Sequence, residues 1–146
     1  MPRRRHSSPF HKILVGYDGS EPAQKALEIG LGMARAEDAK LLVLAVARPS
    51  EPPTRVETAG ILENAQEHFE KDFALIARRA GELGVDLETA VVVGHPTEQL
   101  VHRAETERAD LIIVGRRGVS RFERMLVGST SEKVLRYAHC PVMVVQ

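Results

Sequence analysis

The sequence predicts an α/β fold, a single-domain open parallel five-stranded sheet with helices on both faces. Five apolar runs of strand length recur along the 146 residues. Segments with a helical apolar period fill every gap between them, so the order reads β-α-β-α-β-α-β-α-β. Four of the runs are near-continuous rather than alternating, as strands buried on both faces are. Strict alternation of strand and helix calls for right-handed crossovers and hence a parallel sheet.

The first strand is Ile13-Leu14-Val15. A helix follows from Ser20 to about Ala36, with Ala23, Leu27, Gly30, Leu31 and Ala34 as its apolar stripe. The second strand runs from Leu41 to Ala47. Residues 48–57 carry three prolines and read as a flexible loop. A long helix is expected from about Thr58 to Leu83, where Leu62, Ala65, Phe69, Phe73, Ile76 and Ala80 repeat at threes and fours and Gly84 stops it. The third strand centres on Val91-Val92-Val93 and differs from the rest. Val85, Leu87, Thr89, Val91 and Val93 alternate with Asp86, Glu88 and Ala90, which predicts a wetter face at a sheet edge. A shorter helix from about Thr97 to Glu107 leads to the strand Leu111 to Val114. A last helix from Ser129 to about Tyr137 precedes the strand Val142 to Val145.

Composition narrows the function. Hydrophobic residues make up 43% and charged residues 27%, as in ordinary globular domains. Twenty Lys and Arg balance twenty Asp and Glu, without the basic excess of a general nucleic-acid binder. No apolar run reaches the roughly 20 residues of a membrane span. The start, Met1-Pro-Arg-Arg-Arg-His-Ser-Ser-Pro-Phe10, is basic and lacks the apolar stretch of a secretory signal. Residues 1–10 read as a disordered basic tail, 11–146 as the domain, and the expected location is cytoplasmic.

The segment that bears most on function lies near the C-terminus. Gly115-Arg-Arg-Gly118 follows an apolar strand, and after nine residues Gly128-Ser129-Thr130-Ser131 opens a helix. Backbone N–H groups approach a ligand closely where no Cβ intervenes, and a helix start favours negative charge. Between Gly115 and Arg136 there are six basic residues and two acids, a local excess of four positive charges in a neutral chain. These are the parts of a phosphate site. In open α/β sheets ligands lie beyond the carboxyl ends of the strands. Gly16-Tyr17-Asp18-Gly19-Ser20 and Val46-Ala47-Arg48 emerge at that end too. Asp18, acceptor-only when ionised, suits a ribose diol.

Simpler roles compete with each reading. Ser129-x-x-Glu132 is also a capping box, and Asp-Gly-Ser is common turn chemistry before a helix. His95-Pro96 suits a turn as well as a crevice rim. Cys140, the sole cysteine, reads as a buried or edge thiol because no His–acid pair is placed beside it. No G-x-x-x-x-G-K-[ST], no G-x-G-x-x-G after the first strand and no metal-ligand spacing is present.

These residues resemble the universal stress proteins, over about residues 11–146. The likeness rests on Ile13-Leu-Val-Gly-Tyr-Asp-Gly-Ser20, Gly94-His-Pro96, Ala109-Asp-Leu-Ile-Ile-Val-Gly115, Gly128-Ser-Thr-Ser-Glu-Lys-Val134 and Cys140-Pro-Val-Met-Val-Val145. The family's ATP-binding branch carries G-x2-G-x9-G-[ST], matched by Gly115, Gly118, Gly128 and Ser129. The resemblance implies strand order 3-2-1-4-5 in a Rossmann-like sheet of the adenine nucleotide alpha hydrolase-like kind. It implies ATP, with Mg2+, as ligand, with Gly16, Tyr17 and Asp18 at the nucleoside and the backbone at Tyr17, Val46 and Val114 near adenine. Gly115, Gly118, Gly128, Ser129 and Thr130 would hold the phosphates, with Arg117 and Ser131 also among the nucleotide-binding residues. The chain departs from the family pattern in its basic Arg116-Arg117 and in Tyr17, larger than the small residue often found before the aspartate. A ring facing the crevice would restrict adenine.

The leading expectation is an ATP-binding, nucleotide-sensing protein of stress adaptation, acting through an unknown protein partner and contacting neither nucleic acid nor membrane. Alternatives are a slow ATPase or an enzyme that phosphorylates itself at Ser129 or Ser131, and a receptor for another adenine nucleotide such as cyclic AMP. The last strand, Val142–Val145, is apolar on both faces yet ends the chain at a sheet edge, so a homodimer through that strand is expected.

Overall fold

The computed structural model describes residues 8–49, 52, 54–116 and 129–146, the first of the last segment by its backbone alone. Its elements are β1 (Lys12–Gly16), α1 (Glu21–Glu37), β2 (Lys40–Ala47), α2 (Arg55–Leu83), β3 (Leu87–Val93), α3 (Pro96–Thr106), β4 (Leu111–Gly115), α4 (Ser129–Tyr137) and β5 (Val142–Val145). The five strands form one parallel sheet in the order β3-β2-β1-β4-β5. The fold class and strand order are those expected from the sequence.

Side-chain alternation explains why the central strands read as unbroken apolar runs. Ile13, Val15, Leu41, Val43, Leu111 and Ile113 face one core layer with Leu27, Leu31 and Ile76 of α1 and α2. Leu14, Leu42, Leu44, Ile112 and Val114 face the other, with Leu100 and Ala104 of α3 and Val134 of α4. Both faces are thus covered, and neither can be polar. The predicted stripe of α1 is the buried one: Ala23, Leu27, Gly30, Leu31 and Ala34 all face inward.

The helix ends follow local chemistry. Ser20 caps α1, its hydroxyl accepting from the Ala23 amide at 3.3 Å. Gly84 ends α2 with φ 68°, a conformation that suits glycine. Two expectations need correction. The long helix begins at Arg55, three residues before Thr58, because Thr54 caps it by accepting from the Glu57 amide at 3.2 Å. The expected 48–57 loop is shortened accordingly. On the edge strand β3 all seven residues are partly buried, with Leu87 and Val91 packed on one core layer and Ala90 and Val92 on the other, so neither face stands out as the wetter one.

At the opposite end from the candidate site, polar groups fasten β1. Asp110 accepts from the His11 and Lys12 amides at 2.6 and 2.9 Å. Lys12 pairs with Glu107 at 2.7 Å, and Arg103 reaches Glu107 at 3.5 Å. Among the described residues no helix is long and apolar enough to cross a membrane.

Candidate functional site

The strand order reverses between β1 and β4, and a crevice opens there at the carboxyl ends of β1, β2 and β4. It encloses about 160 Å³. Leu44, Val46, Leu100 and Val114 supply its apolar lining; Asp18, Ser20, Arg48, Thr130 and Ser131 supply polar groups.

The loop after β1 forms one wall. The Tyr17 amide donates to the Leu44 carbonyl at 2.9 Å, carrying the β1–β2 pairing one residue past the strand. The chain then turns into α1. Asp18 accepts from the Ser20 amide at 2.9 Å, and Gly19 adopts φ 83°. The turn role weighed for Asp18 is therefore real, yet the residue is exposed on the crevice and a carboxylate has a second oxygen to offer.

The Tyr17 ring turns away from the crevice. It packs on Phe69 and Phe73 of α2 with centroids 6.0 and 6.2 Å apart, and its hydroxyl donates to Asp72 at 2.7 Å. The residue is 6% exposed and belongs to the core layer of α1 and α2. Only the residue's backbone end is left to border the crevice, so the large side chain does not fill the space an adenine would need. Burial first, then the Asp72 carboxylate, pushes the phenol well above its ordinary pKa and keeps it a neutral donor.

The end of β4 meets the starts of α1 and α4. A Cβ at Gly115 would come within 2.6 Å of the Pro22 carbonyl oxygen and 2.7 Å of the Ala23 nitrogen, so only glycine lets α1 approach this closely. Ser131, 1% exposed, donates its hydroxyl to the Gly115 carbonyl at 3.1 Å and ties α4 to β4. Its proton is committed there, which leaves its oxygen as an acceptor. The Ser131 hydroxyl is not free to donate to a ligand while that bond stands.

Of the residues singled out from the sequence, Gly16, Tyr17, Asp18, Val46, Val114, Gly115, Thr130 and Ser131 all line this one crevice. Arg117, Gly118, Gly128 and the side chain of Ser129 lie outside the described residues. Leu44, Leu100 and Ala23 border the crevice without having been singled out. Leu100 was discoverable as the buried position of α3 nearest its start; Leu44 and Ala23 follow only from packing. Pro96 reaches the crevice, while the neighbouring His95 precedes α3 without a side-chain capping bond. Cys140 is half-buried, and burial raises its thiol pKa, the reverse of an activated nucleophile.

An open parallel sheet with a crevice at its switch point defines a doubly wound α/β protein. The model of the universal stress protein family matches residues 9–146, and the chain belongs to that family. It is 31% identical to a universal stress protein of Methanocaldococcus jannaschii, over 98% of this chain and 86% of that one. It is 32% identical to the universal stress protein YxiE of Bacillus subtilis, over 94% and 99%. Among solved structures, the universal stress protein UspA from Lactobacillus plantarum superposes with a TM-score of 0.78 at 26% identity, covering 95% of this chain and 99% of that one. A universal stress protein solved in complex with cAMP superposes with a TM-score of 0.76 at 29% identity, with the same coverage.

Proposed function

We propose that the chain is an ATP-binding universal stress protein, a cytoplasmic homodimer that senses nucleotide and acts in stress adaptation through a protein partner. The observation that carries the ATP reading is a convergence. Residues chosen from the sequence for a ribose, an adenine and a phosphate chain border one crevice at the switch point. Asp18 sits on the β1 wall, the apolar Val46 and Val114 line the crevice from the neighbouring strands β2 and β4, and Thr130 stands at the start of α4. The G-x2-G-x9-G-[ST] spacing from Gly115 to Ser129 connects the β4 end to that helix start. Amides at a helix start and hydroxyls beside them are suited to a polyphosphate.

Magnesium would travel with the phosphates. Among the described residues no group of three or more His, Cys, Asp or Glu could hold a metal alone, and Mg2+ is commonly held by substrate phosphates with one or two protein ligands. Among the described residues, Asp18, Ser20, Thr130 and Ser131 line the crevice with side-chain oxygens that would contribute.

A second reading is a receptor for cyclic AMP, favoured by the relative solved with that ligand. The two nucleotides ask different things of the site. A triphosphate engages the 115–131 segment along its length; a cyclic monophosphate needs only the helix start. Titration calorimetry with ATP, ADP, AMP and cyclic AMP tests the proposal. Affinity rising with phosphate number supports ATP, and tightest binding of cyclic AMP supports the alternative.

The dimer reading rests on β5. It pairs with β4 on one side and ends the sheet on the other. Its apolar residues Val142, Met143 and Val144 are only partly buried. Pairing with a second copy would satisfy the open backbone groups and cover them.

A further inference from the structure

We propose that Asp72, a residue of α2 outside the crevice, is a positioning residue for the nucleotide's ribose, acting through Tyr17. Tyr17 is the one described residue that borders both the crevice and a groove of about 870 Å³ between α1 and α2. Its backbone belongs to the crevice wall; its hydroxyl reaches through the core layer to Asp72, which lies on the groove. The same carboxylate oxygen that accepts from Tyr17 also lies 3.9 Å from where a Cβ of Gly19 would sit. Asp72 is thus set against two residues of the turn that presents Asp18.

The other hydrogen bonds of the turn do not hold the Tyr17 side chain: the Tyr17 amide donates to the Leu44 carbonyl, the Ser20 amide to Asp18, and the Gln24 side-chain amide to the Gly19 carbonyl at 3.1 Å. The Phe69 and Phe73 rings pack on the Tyr17 ring, and the hydroxyl–carboxylate bond is the polar anchor at its far end. Because the phenol is held neutral by burial, it remains a donor across the working pH range. A shift of Tyr17 along its own axis moves the adjacent Asp18, whose distance to a ribose diol must be held to a fraction of an ångström for a good hydrogen bond.

This role rests on the adenine-nucleotide reading, and the test separates the two. Calorimetry is run with ATP and with inorganic tripolyphosphate on wild type, Tyr17→Phe, Asp72→Leu, the double variant and Asp72→Asn. Tyr17→Phe keeps the packed ring, and circular dichroism verifies the fold of each. Tyr17→Phe and Asp72→Leu should each weaken ATP about three- to tenfold, as loss of one positioning bond implies. The double variant should be no weaker than either single one, since both remove the same link. Asp72→Asn, whose amide oxygen still accepts, should bind ATP within about twofold of wild type. Tripolyphosphate affinity should be unchanged in all. Unchanged ATP binding in Asp72→Leu would overturn the positioning role, as would additive losses or equal losses for both ligands. A wild-type chain that binds no adenine nucleotide would overturn the ATP reading and this role with it.

Discussion

Gly115→Ala offers a direct view of how fold and site share one residue. The sequence marks Gly115 as the first glycine of a phosphate motif, but the structure gives it a second task. The new methyl group would sit 2.6 Å from the Pro22 carbonyl oxygen and 2.7 Å from the Ala23 nitrogen, both backbone atoms that cannot rotate away. Either α1 lifts at its first turn or β4 shifts in the sheet. Overpacking of this kind costs about 1–3 kcal/mol. For a chain of this size each kcal/mol lowers Tm by roughly 2–4 °C, so the variant should melt about 2–12 °C below wild type. Gly32→Ala is the matched control. Gly32 lies on the exposed face of α1, and a Cβ there meets nothing within 4 Å. Alanine's better helix propensity should stabilise that variant by about 0.5–1 kcal/mol. Differential scanning calorimetry reads both. A Gly115→Ala protein that melts with wild type would refute the packing role and leave Gly115 explained by ligand alone.

Three other outcomes follow from the same geometry. Asp18→Ala should weaken ATP while leaving tripolyphosphate binding nearly unchanged; equal loss for both in calorimetry would mean that Asp18 only shapes its turn. Val144→Pro should yield monomers by light scattering. Arg116 and Ile112 donate to the carbonyls of Val145 and Pro141, so the alternate residues Val142 and Val144 direct their backbone groups to the open edge, and proline would remove an N–H there; a Val144→Pro dimer would exclude this edge. Glu107 is held below its ordinary pKa of 4.5, first by its hydrogen bond to Lys12. A depressed carboxylate contributes stability above its unfolded pKa and loses it as pH falls through the folded one. The loss between wild type and Glu107→Gln in urea melts should therefore be present at neutral pH and shrink as pH falls below 4.5 and through the lowered folded pKa; a difference that does not shrink in acid would contradict the Lys12 pairing.

The sheet and its helices were legible because burial on two faces leaves a simple trace. Leu41 to Ala45 cannot alternate when both sides are covered, and the α1 stripe repeats at the helical period. Ser20 and Gly84 marked helix ends by chemistry that acts within a few residues. The start of α2 was missed because Arg55, Val56 and Glu57 lie on exposed positions and add nothing to an apolar stripe, while the informative residue was the cap, Thr54. Crevice residues on the strand ends were legible from the topology rule. What could not be read was direction and partnership. Nothing local says that the Tyr17 ring leaves the crevice for Asp72, 55 residues away, or that Ser131 spends its proton on Gly115, 16 residues away. Those bonds exist only once α2 and α4 have docked on the sheet.

The most direct measurement of the central claim is isothermal titration of the wild-type protein with Mg-ATP, with AMP and cyclic AMP alongside. The account predicts saturable binding, one nucleotide per chain, with ATP the tightest of the three. No heat of binding with any of them, from a protein shown to be folded and free of copurified nucleotide, would contradict it.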